Sequence, residues 1–159
     1  MGCGGTSVSE INKRYFNNEL LKYHNDMRKK HNSPELNLTE KLSQIAKEYA
    51  KELINSNKII FSPYTYKGEP LGENIYNSEN IYIEPKKVFD QWYNECKTYD
   101  FQSKKFQKEA CHFTQIIWKN TKEVGFGIEN NSSKIYIVAL YFPAGNIFEE
   151  FTKNIIKAK

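Results

Sequence analysis

Residues 110–128 read ACHFTQIIWKNTKEVGFGI, and they constrain the fold more than any other part of the chain. His112, one of only three histidines in the sequence, stands near the start of this stretch. Polar and apolar side chains alternate over residues 112–119, and a period of two predicts a β-strand because successive strand side chains point to opposite faces. Two further strands are predicted at residues 124–129 and 135–142, with Asn130-Asn131-Ser132-Ser133 as the turn between them.

The rest of the chain predicts helices and one long loop. Apolar residues recur at helical spacing over residues 11–31 and 42–54, and Pro85 suits the first turn of a third helix over residues 85–96. Residues 58–83 contain two prolines and two glycines and read as an irregular loop. The strand at 135–142 is apolar on both faces, so both faces should be covered. The pattern predicts an α+β domain with helices packed on an antiparallel sheet.

Length, charge and cysteine content limit the classes of function. The 159 residues suffice for one domain with a real core. The net charge of +4 is too small to indicate nucleic-acid binding, but it is compatible with an anionic membrane surface. Three cysteines make a poor disulfide framework, which favours a reduced, intracellular protein.

The first six residues, MGCGGT, match the pattern for N-myristoylation. Gly2 would be the acylated residue after removal of Met1, Thr6 supplies the required hydroxyl, and Cys3 is placed for palmitoylation. We therefore expect residues 1–9 to form a flexible acylated tether and residues 10–159 to form the single folded domain. The alternative is an unmodified glycine-rich leader, since short patterns arise by chance.

Five motifs in the chain resemble, in the same order, those of the CAP superfamily, which comprises the cysteine-rich secretory, antigen 5 and pathogenesis-related proteins. They are HNDMR (residues 24–28), GEN (72–74), WYNE (92–95), HFTQIIWKNT (112–121) and YFPAGN (141–146). The segments around residues 118–122 and 141–146 are most similar to the Golgi-associated plant pathogenesis-related branch. Many secreted members have a cysteine in the last strand, where this chain has Ala139.

The resemblance implies an α-β-α sandwich with a small central antiparallel sheet and a shallow cleft lined by two histidines and two acidic residues. Glu73, Glu95 and His112 match three of these cleft positions, and Phe61 stands where related proteins have the second histidine. Phe61 removes a metal ligand and adds an apolar wall, so we predict no metal site and no cofactor. His112 would then join Glu95 and Glu73 by hydrogen bonds, with weak ligation of a divalent metal as the alternative.

Catalytic alternatives receive less support from the residues. Cys111 precedes His112, but neighbours on a strand point to opposite faces, which argues against a Cys-His pair. His24 and Arg28, one helical turn apart, are interpreted as structural polar contacts. We predict no catalytic residue.

The expected function is that of a non-enzymatic peripheral membrane protein. The CAP domain would be held at the cytosolic face of Golgi-type membranes by acylation of Gly2 and Cys3 and by contact of lysines with anionic lipids, with a homodimer as an open alternative and no nucleic-acid partner. Two rival hypotheses are a metal-assisted hydrolase that uses Glu73, Glu95 and His112, and a sterol- or fatty-acid-binding module.

Overall fold

The structure is a computed structural model that describes residues 5–56 and 62–159, with side chains described from Asn12 onward. Helices lie at α1 (Gly5–Lys30), α2 (Glu40–Ser56), α3 (Pro85–Tyr93), α4 (Cys111–Ile117) and α5 (Phe151–Asn154), and 3₁₀ turns at Asn94–Lys97 and Lys108–Ala110. Strands lie at β1 (Asn37–Leu38), β2 (Thr65–Tyr66), β3 (Glu69–Pro70), β4 (Gly72–Ser78), β5 (Glu123–Asn130) and β6 (Ile135–Phe142). In the part of the chain that is described, no helix is long and apolar enough to cross a bilayer.

The central sheet has the strand order β1-β5-β6-β4, and β2 pairs with β3 in a separate hairpin. β6 runs antiparallel to both β5 and β4, as the sequence predicts for its two long strands. The prediction of a wholly antiparallel sheet is wrong at one edge, because β1 pairs with β5 in parallel through Asn37 and Leu38. A two-residue strand is too short to show any alternation in the sequence.

Helices cover both faces of this sheet. Tyr136, Val138 and Leu140 of β6 pack in one apolar cluster with residues of α2. The alternate residues Ile137, Ala139 and Tyr141 pack in a second cluster with residues of α1, α3 and α4. The predicted α-β-α sandwich and the predicted burial of both faces of the last strand are therefore confirmed.

Two glycines in the opening stretch let α2 lie directly against β5. A Cβ atom on Gly125 would lie 2.2 Å from the carbonyl carbon of Leu42, and one on Gly127 would lie 2.2 Å from that of Ala46. Any side chain at these positions would push the helix off the sheet. The close contact explains why the strand carries glycine on the face that packs against α2.

The predicted strand at residues 112–119 is wrong: residues 111–117 form α4. Phe113, Thr114, Gln115, Ile116 and Ile117 are all buried, so alternation of side chains does not separate a buried face from an exposed one. β-Branched Thr114, Ile116 and Ile117 favour a strand locally. Tertiary contacts at both ends of the segment override that preference, as described below.

Two other boundaries differ from the predictions. Residues 62–83 contain β2, β3 and β4 in place of an irregular loop. β2 pairs with β3 and β4 pairs with β6, and the sequence pattern does not reveal these partners. The predicted tether, residues 1–9, overlaps α1, which begins at Gly5. The residues that follow Gly5 in α1 contain no proline or further glycine that would break a helix. Gly2 and Cys3 lie outside the described residues, as does Phe61.

Candidate functional site

Glu95 and His112 form the central pair of the candidate site. Oε2 of Glu95 lies 2.7 Å from Nδ1 of His112, and Oε1 accepts the backbone N–H groups of His112 at 2.9 Å and Phe113 at 3.1 Å. A carboxylate only accepts hydrogen bonds, so Nδ1 carries a proton, and Nε2 is the ring nitrogen that Glu95 does not contact. The side chain of His112 is 35% exposed and that of Glu95 is 21% exposed, so the pair lies partly open to solvent.

Glu95 also has a structural role at the start of α4. The first amides of a helix have no partner within the helix, and a carboxylate placed there satisfies them and interacts favourably with the helix dipole. Asn94–Lys97 form the 3₁₀ turn that follows α3, so Glu95 joins two elements that are distant in sequence. Both oxygens of Glu95 are used in holding α4 and the ring of His112.

The other end of α4 is held by Arg28, whose side chain is fully buried. Its guanidinium donates to the carbonyls of Pro34, Ile116, Trp118 and Thr121 at 2.7–2.9 Å. The carbonyls at the end of a helix carry partial negative charge, which compensates the buried cation. Burial lowers the pKa of Arg28 to about 10, so the side chain stays charged at neutral pH.

A chain of buried polar groups connects α1 to α4 through the sheet. Nε2 of His24 lies 2.8 Å from the Tyr141 hydroxyl. The amide nitrogen of Asn74 donates to that hydroxyl and to the carbonyl of His112, at 3.1 Å each. Burial lowers the pKa of His24 to about 3, so its ring is neutral. His24 therefore has a structural role, as its position one helical turn before Arg28 predicts.

Glu73 has different neighbours from the His112–Glu95 pair. Asn74 and Glu73 are adjacent on β4, so their side chains leave opposite faces of the strand. Burial raises the pKa of Glu73, and the backbone N–H of Ser62 acts in the opposite direction. The charge of Glu73 in turn contributes to the raised pKa of Tyr49 on α2, after burial itself. Within residues 5–56 and 62–159, no three His, Cys, Asp or Glu side chains are grouped as a metal site.

Gln115 and Asn146 are site residues that the sequence reasoning missed. Gln115 accepts the N–H of Gly145 at 2.8 Å, and a Cβ atom on Gly72 would lie 2.0 Å from its Oε1. The Asn146 amide donates to the carbonyl of Cys111 at 2.9 Å. The glycines of the GEN and YFPAGN motifs thus make room for one buried side chain of α4. The common role of these two glycines can be recognised only once it is known that the three segments meet in the folded chain.

The two described cysteines are free thiols, Cys96 and Cys111. Burial raises the pKa of the Cys111 thiol, and the nearby charge of Glu95 raises it further. A thiolate nucleophile needs a lowered pKa, so these surroundings disfavour the thiolate of Cys111. The strand-based argument against a Cys111–His112 pair is wrong in its premise, because both residues lie in a helix, but the engagement of His112 with Glu95 leads to the same conclusion.

Comparisons with known proteins agree with the geometry. The model of the cysteine-rich secretory protein family matches residues 21–142. The human Golgi-associated plant pathogenesis-related protein 1 is 38% identical over 153 residues, which cover 92% of this chain and 96% of that protein. Among solved structures, venom allergen-like protein 4 of Schistosoma mansoni superposes with a TM-score of 0.69 at 19% identity, over 91% of this chain and 95% of that one. NaASP2 crystallised with Zn²⁺ superposes with a TM-score of 0.67 at 20% identity, over 89% and 85% of the two chains.

Proposed function

The chain belongs to the cysteine-rich secretory protein (CAP) family, and on that premise we propose that it is a non-enzymatic peripheral protein of the cytosolic leaflet of Golgi-type membranes. The observation that carries this proposal is the N-terminal sequence MGCGGT, in a chain that is 38% identical to a Golgi-associated human protein over 92% of its length. Gly2 and Cys3 would bear the two acyl chains.

Two acyl chains are needed for stable attachment. Burial of an acyl chain contributes about 0.8 kcal/mol per CH₂ group, and a single myristoyl chain binds membranes only marginally and reversibly. Palmitoylation of Cys3, next to the first acylation site, would convert that reversible contact into a stable one. Because α1 begins at Gly5, the folded domain would sit close to the bilayer surface.

Exposed lysines would add an electrostatic contact with anionic lipids. A basic residue near an anionic leaflet contributes about 1 kcal/mol. The candidate lysines lie in four parts of the chain: Lys86 and Lys87, Lys104 and Lys105, Lys108, and Lys153, Lys157 and Lys159. Lys86 already pairs with Asp90, so we expect its contribution to be smaller than that of Lys87.

The geometry of the candidate site supports a non-enzymatic role. Glu95 uses both oxygens to hold α4 and His112, and the raised pKa of Cys111 disfavours a thiolate nucleophile next to them. The fully buried Asn74 and the neutral His24 serve in the internal network that connects the helices. The carboxylate of Glu95 and the amide of Asn74 thus both serve in holding α4.

Fractionation of cells that express the full chain tests the proposal. We expect the wild type in the membrane pellet, Gly2→Ala almost completely in the soluble fraction, and Cys3→Ser partly released. Gly4→Ala and Cys96→Ser are the matched controls, since each makes the same chemical change at a position without the proposed modification. A Gly2→Ala protein that stays with the membrane would exclude the acyl tether.

A further inference from the structure

An exposed apolar surface lies beside the N-terminal half of α1. We call it the tyrosine patch, and it consists of Tyr15, Ile81, Tyr82 and Ile83. The Tyr82 side chain is 88% exposed and that of Tyr15 is 57% exposed, whereas tyrosines inside the domain such as Tyr49 and Tyr141 are fully buried. The patch borders a groove of about 450 Å³ whose other walls include Phe16, Pro85 and Ile128.

The tyrosine patch is at the end of the domain that follows the acylation sites. Gly2 and Gly5 are three residues apart, which allows at most about 10 Å between them. Tyr15 lies ten residues after Gly5 in α1, which corresponds to about 15 Å along the helix axis. Acyl chains that enter the bilayer from Gly2 and Cys3 would therefore keep this part of the domain near the lipid headgroups.

The chemistry of the patch fits a bilayer interface. Tyrosine has an apolar ring and a polar hydroxyl, and it is enriched at the depth of the headgroups for that reason. Arg14 precedes Tyr15 in the sequence, Lys87 lies in the first turn of α3, and both are exposed. Lys13 and Lys86 pair with Glu129 and Asp90, so local charge is partly compensated and the aromatic contribution should dominate.

A second exposed apolar group provides a contrast at the far end of the domain. We call it the phenylalanine patch, and it consists of Phe106, Ile147 and Phe148, of which Phe148 is 74% exposed. The ring of Phe106 contacts Phe151, which packs against Trp118. The carbonyl of Trp118 accepts a hydrogen bond from Arg28, which is 23 residues after Gly5 and about 35 Å further along the axis of α1. This patch is therefore remote from the acylation sites.

We propose that the tyrosine patch is the face with which the domain contacts the bilayer, with Tyr15 and Tyr82 inserted among the headgroups of anionic lipids. The inference rests on the proposed function and adds the orientation of the domain on the membrane. It sets the phenylalanine patch away from the lipid, and with it Lys104, Lys105 and Lys108, which flank Phe106 in the sequence. Lys86 and Lys87 are then the candidate lysines nearest to the membrane. Insertion of the two rings supplements the acyl chains and limits rotation of the domain about its tether.

Binding of the unacylated full chain to vesicles tests the patch without its lipid anchor. Vesicles of phosphatidylserine and phosphatidylcholine are titrated against wild type, Tyr15→Ser/Tyr82→Ser and the matched control Phe106→Ser/Phe148→Ser. We expect the tyrosine variant to bind about tenfold more weakly, since it withdraws two aromatic side chains from the interface, and the control to bind like wild type. All four positions are exposed, and thermal unfolding verifies that each variant is folded.

Tryptophan probes locate the inserted face directly. The native Trp92 and Trp118 are buried, so Tyr82→Trp or Phe148→Trp adds an exposed emitter. Binding to vesicles should blue-shift the emission of Tyr82→Trp, because the indole enters a less polar environment, and nitroxide-labelled lipid should quench it. The emission of Phe148→Trp should stay unchanged in both measurements. The reverse pattern, equal quenching of both, or no vesicle binding by the unacylated wild type would overturn the inference. So would a tyrosine variant that loses self-association in light scattering while it keeps vesicle binding, because the patch would then contact a second copy.

These outcomes are separate from the test of acylation. The proposed function fails if Gly2→Ala remains on membranes in cells, whatever the vesicle result. The inference about the tyrosine patch fails if the tyrosine variant binds vesicles as tightly as wild type does. No acyl chain is present in that experiment, so its result does not depend on acylation.

Discussion

The carboxylate of Glu95 lies 2.7 Å from Nδ1 of His112 and also accepts the first backbone N–H groups of α4. One side chain therefore positions the imidazole and completes the helix that carries it. His112, at the start of the longest family motif in the sequence, is therefore one of the residues through which Glu95 holds α4 in place.

Loss of the Glu95 carboxylate should destabilise the fold. Glu95→Ala leaves two backbone N–H groups without their acceptor, so we expect the free energy of unfolding in urea to fall by about 2 kcal/mol. Glu109→Ala, which removes an exposed carboxylate just before α4, is the control and should change it by less than about 0.5 kcal/mol. Equal effects of the two substitutions would contradict the role of Glu95 at the start of the helix.

Arg28 should tolerate neither shortening nor replacement by lysine. Four carbonyls accept its hydrogen bonds, and an ammonium group cannot reach all four from one point. We expect Arg28→Lys to lower the free energy of unfolding by about 3 kcal/mol, as breaking a buried charged network does. Lys29→Arg at the next, exposed position is the control. Arg28→Lys with wild-type stability would show that the charge alone is sufficient.

Acid should destabilise the domain through its buried histidines. Burial lowers the pKa of both His24 and His31, so the unfolded chain takes up protons that the folded chain does not. The stability that these neutral rings contribute is present above the pKa of a free histidine, near 6.5, and is lost as the pH falls towards the folded value, which is about 3 for His24.

Urea titrations between pH 7 and pH 4 measure that loss. Each histidine should contribute a slope of up to about 1.4 kcal/mol per pH unit within its window. His24→Asn should lower stability at pH 7 and show a shallower slope below pH 6.5, whereas exposed Lys105→Gln should keep the wild-type slope. An unchanged slope in His24→Asn would mean that other groups cause the acid sensitivity.

Zinc should bind weakly to the wild type, because His112 offers one nitrogen, Nε2, and Phe61 stands where the family resemblance calls for a second imidazole. Calorimetry should show a gain in affinity in Phe61→His and loss of that gain in Phe61→His/His112→Ala. Phe61→Tyr controls for the change in the apolar wall. Micromolar binding by the wild type that disappears in His112→Ala would revive the metal-assisted hypothesis.

Vesicle binding by the unacylated chain should also depend on salt. Screening acts over about 8 Å at physiological ionic strength, so contacts between exposed lysines and anionic headgroups should weaken as salt increases. Lys87→Glu, close to the tyrosine patch, should weaken binding more than Lys153→Glu in α5. Equal binding to phosphatidylcholine vesicles and to vesicles with phosphatidylserine would contradict an electrostatic contribution.

Several features follow from the sequence alone. The helical spacing of apolar residues predicted α1, α2 and α3, and the two-sided apolar pattern of residues 135–142 predicted a strand covered on both faces. These segments are long enough for the pattern of their apolar residues to show which positions are buried. The ordered motifs indicated the family, which the match over residues 21–142 bears out.

Tertiary structure alone decided the state of residues 111–117 and the surroundings of the candidate site. The alternation of residues 112–119 indicates a strand, yet Glu95 and Arg28, from elements distant in sequence, satisfy the two ends of a helix there. β4 likewise depends on β6 for its hydrogen bonds. Position 72 requires glycine because the side chain of Gln115 occupies the space that a Cβ atom would need. A local pattern records which side chains are apolar, but the partners of end groups, edges and buried amides come from other segments and exist only after the chain has folded.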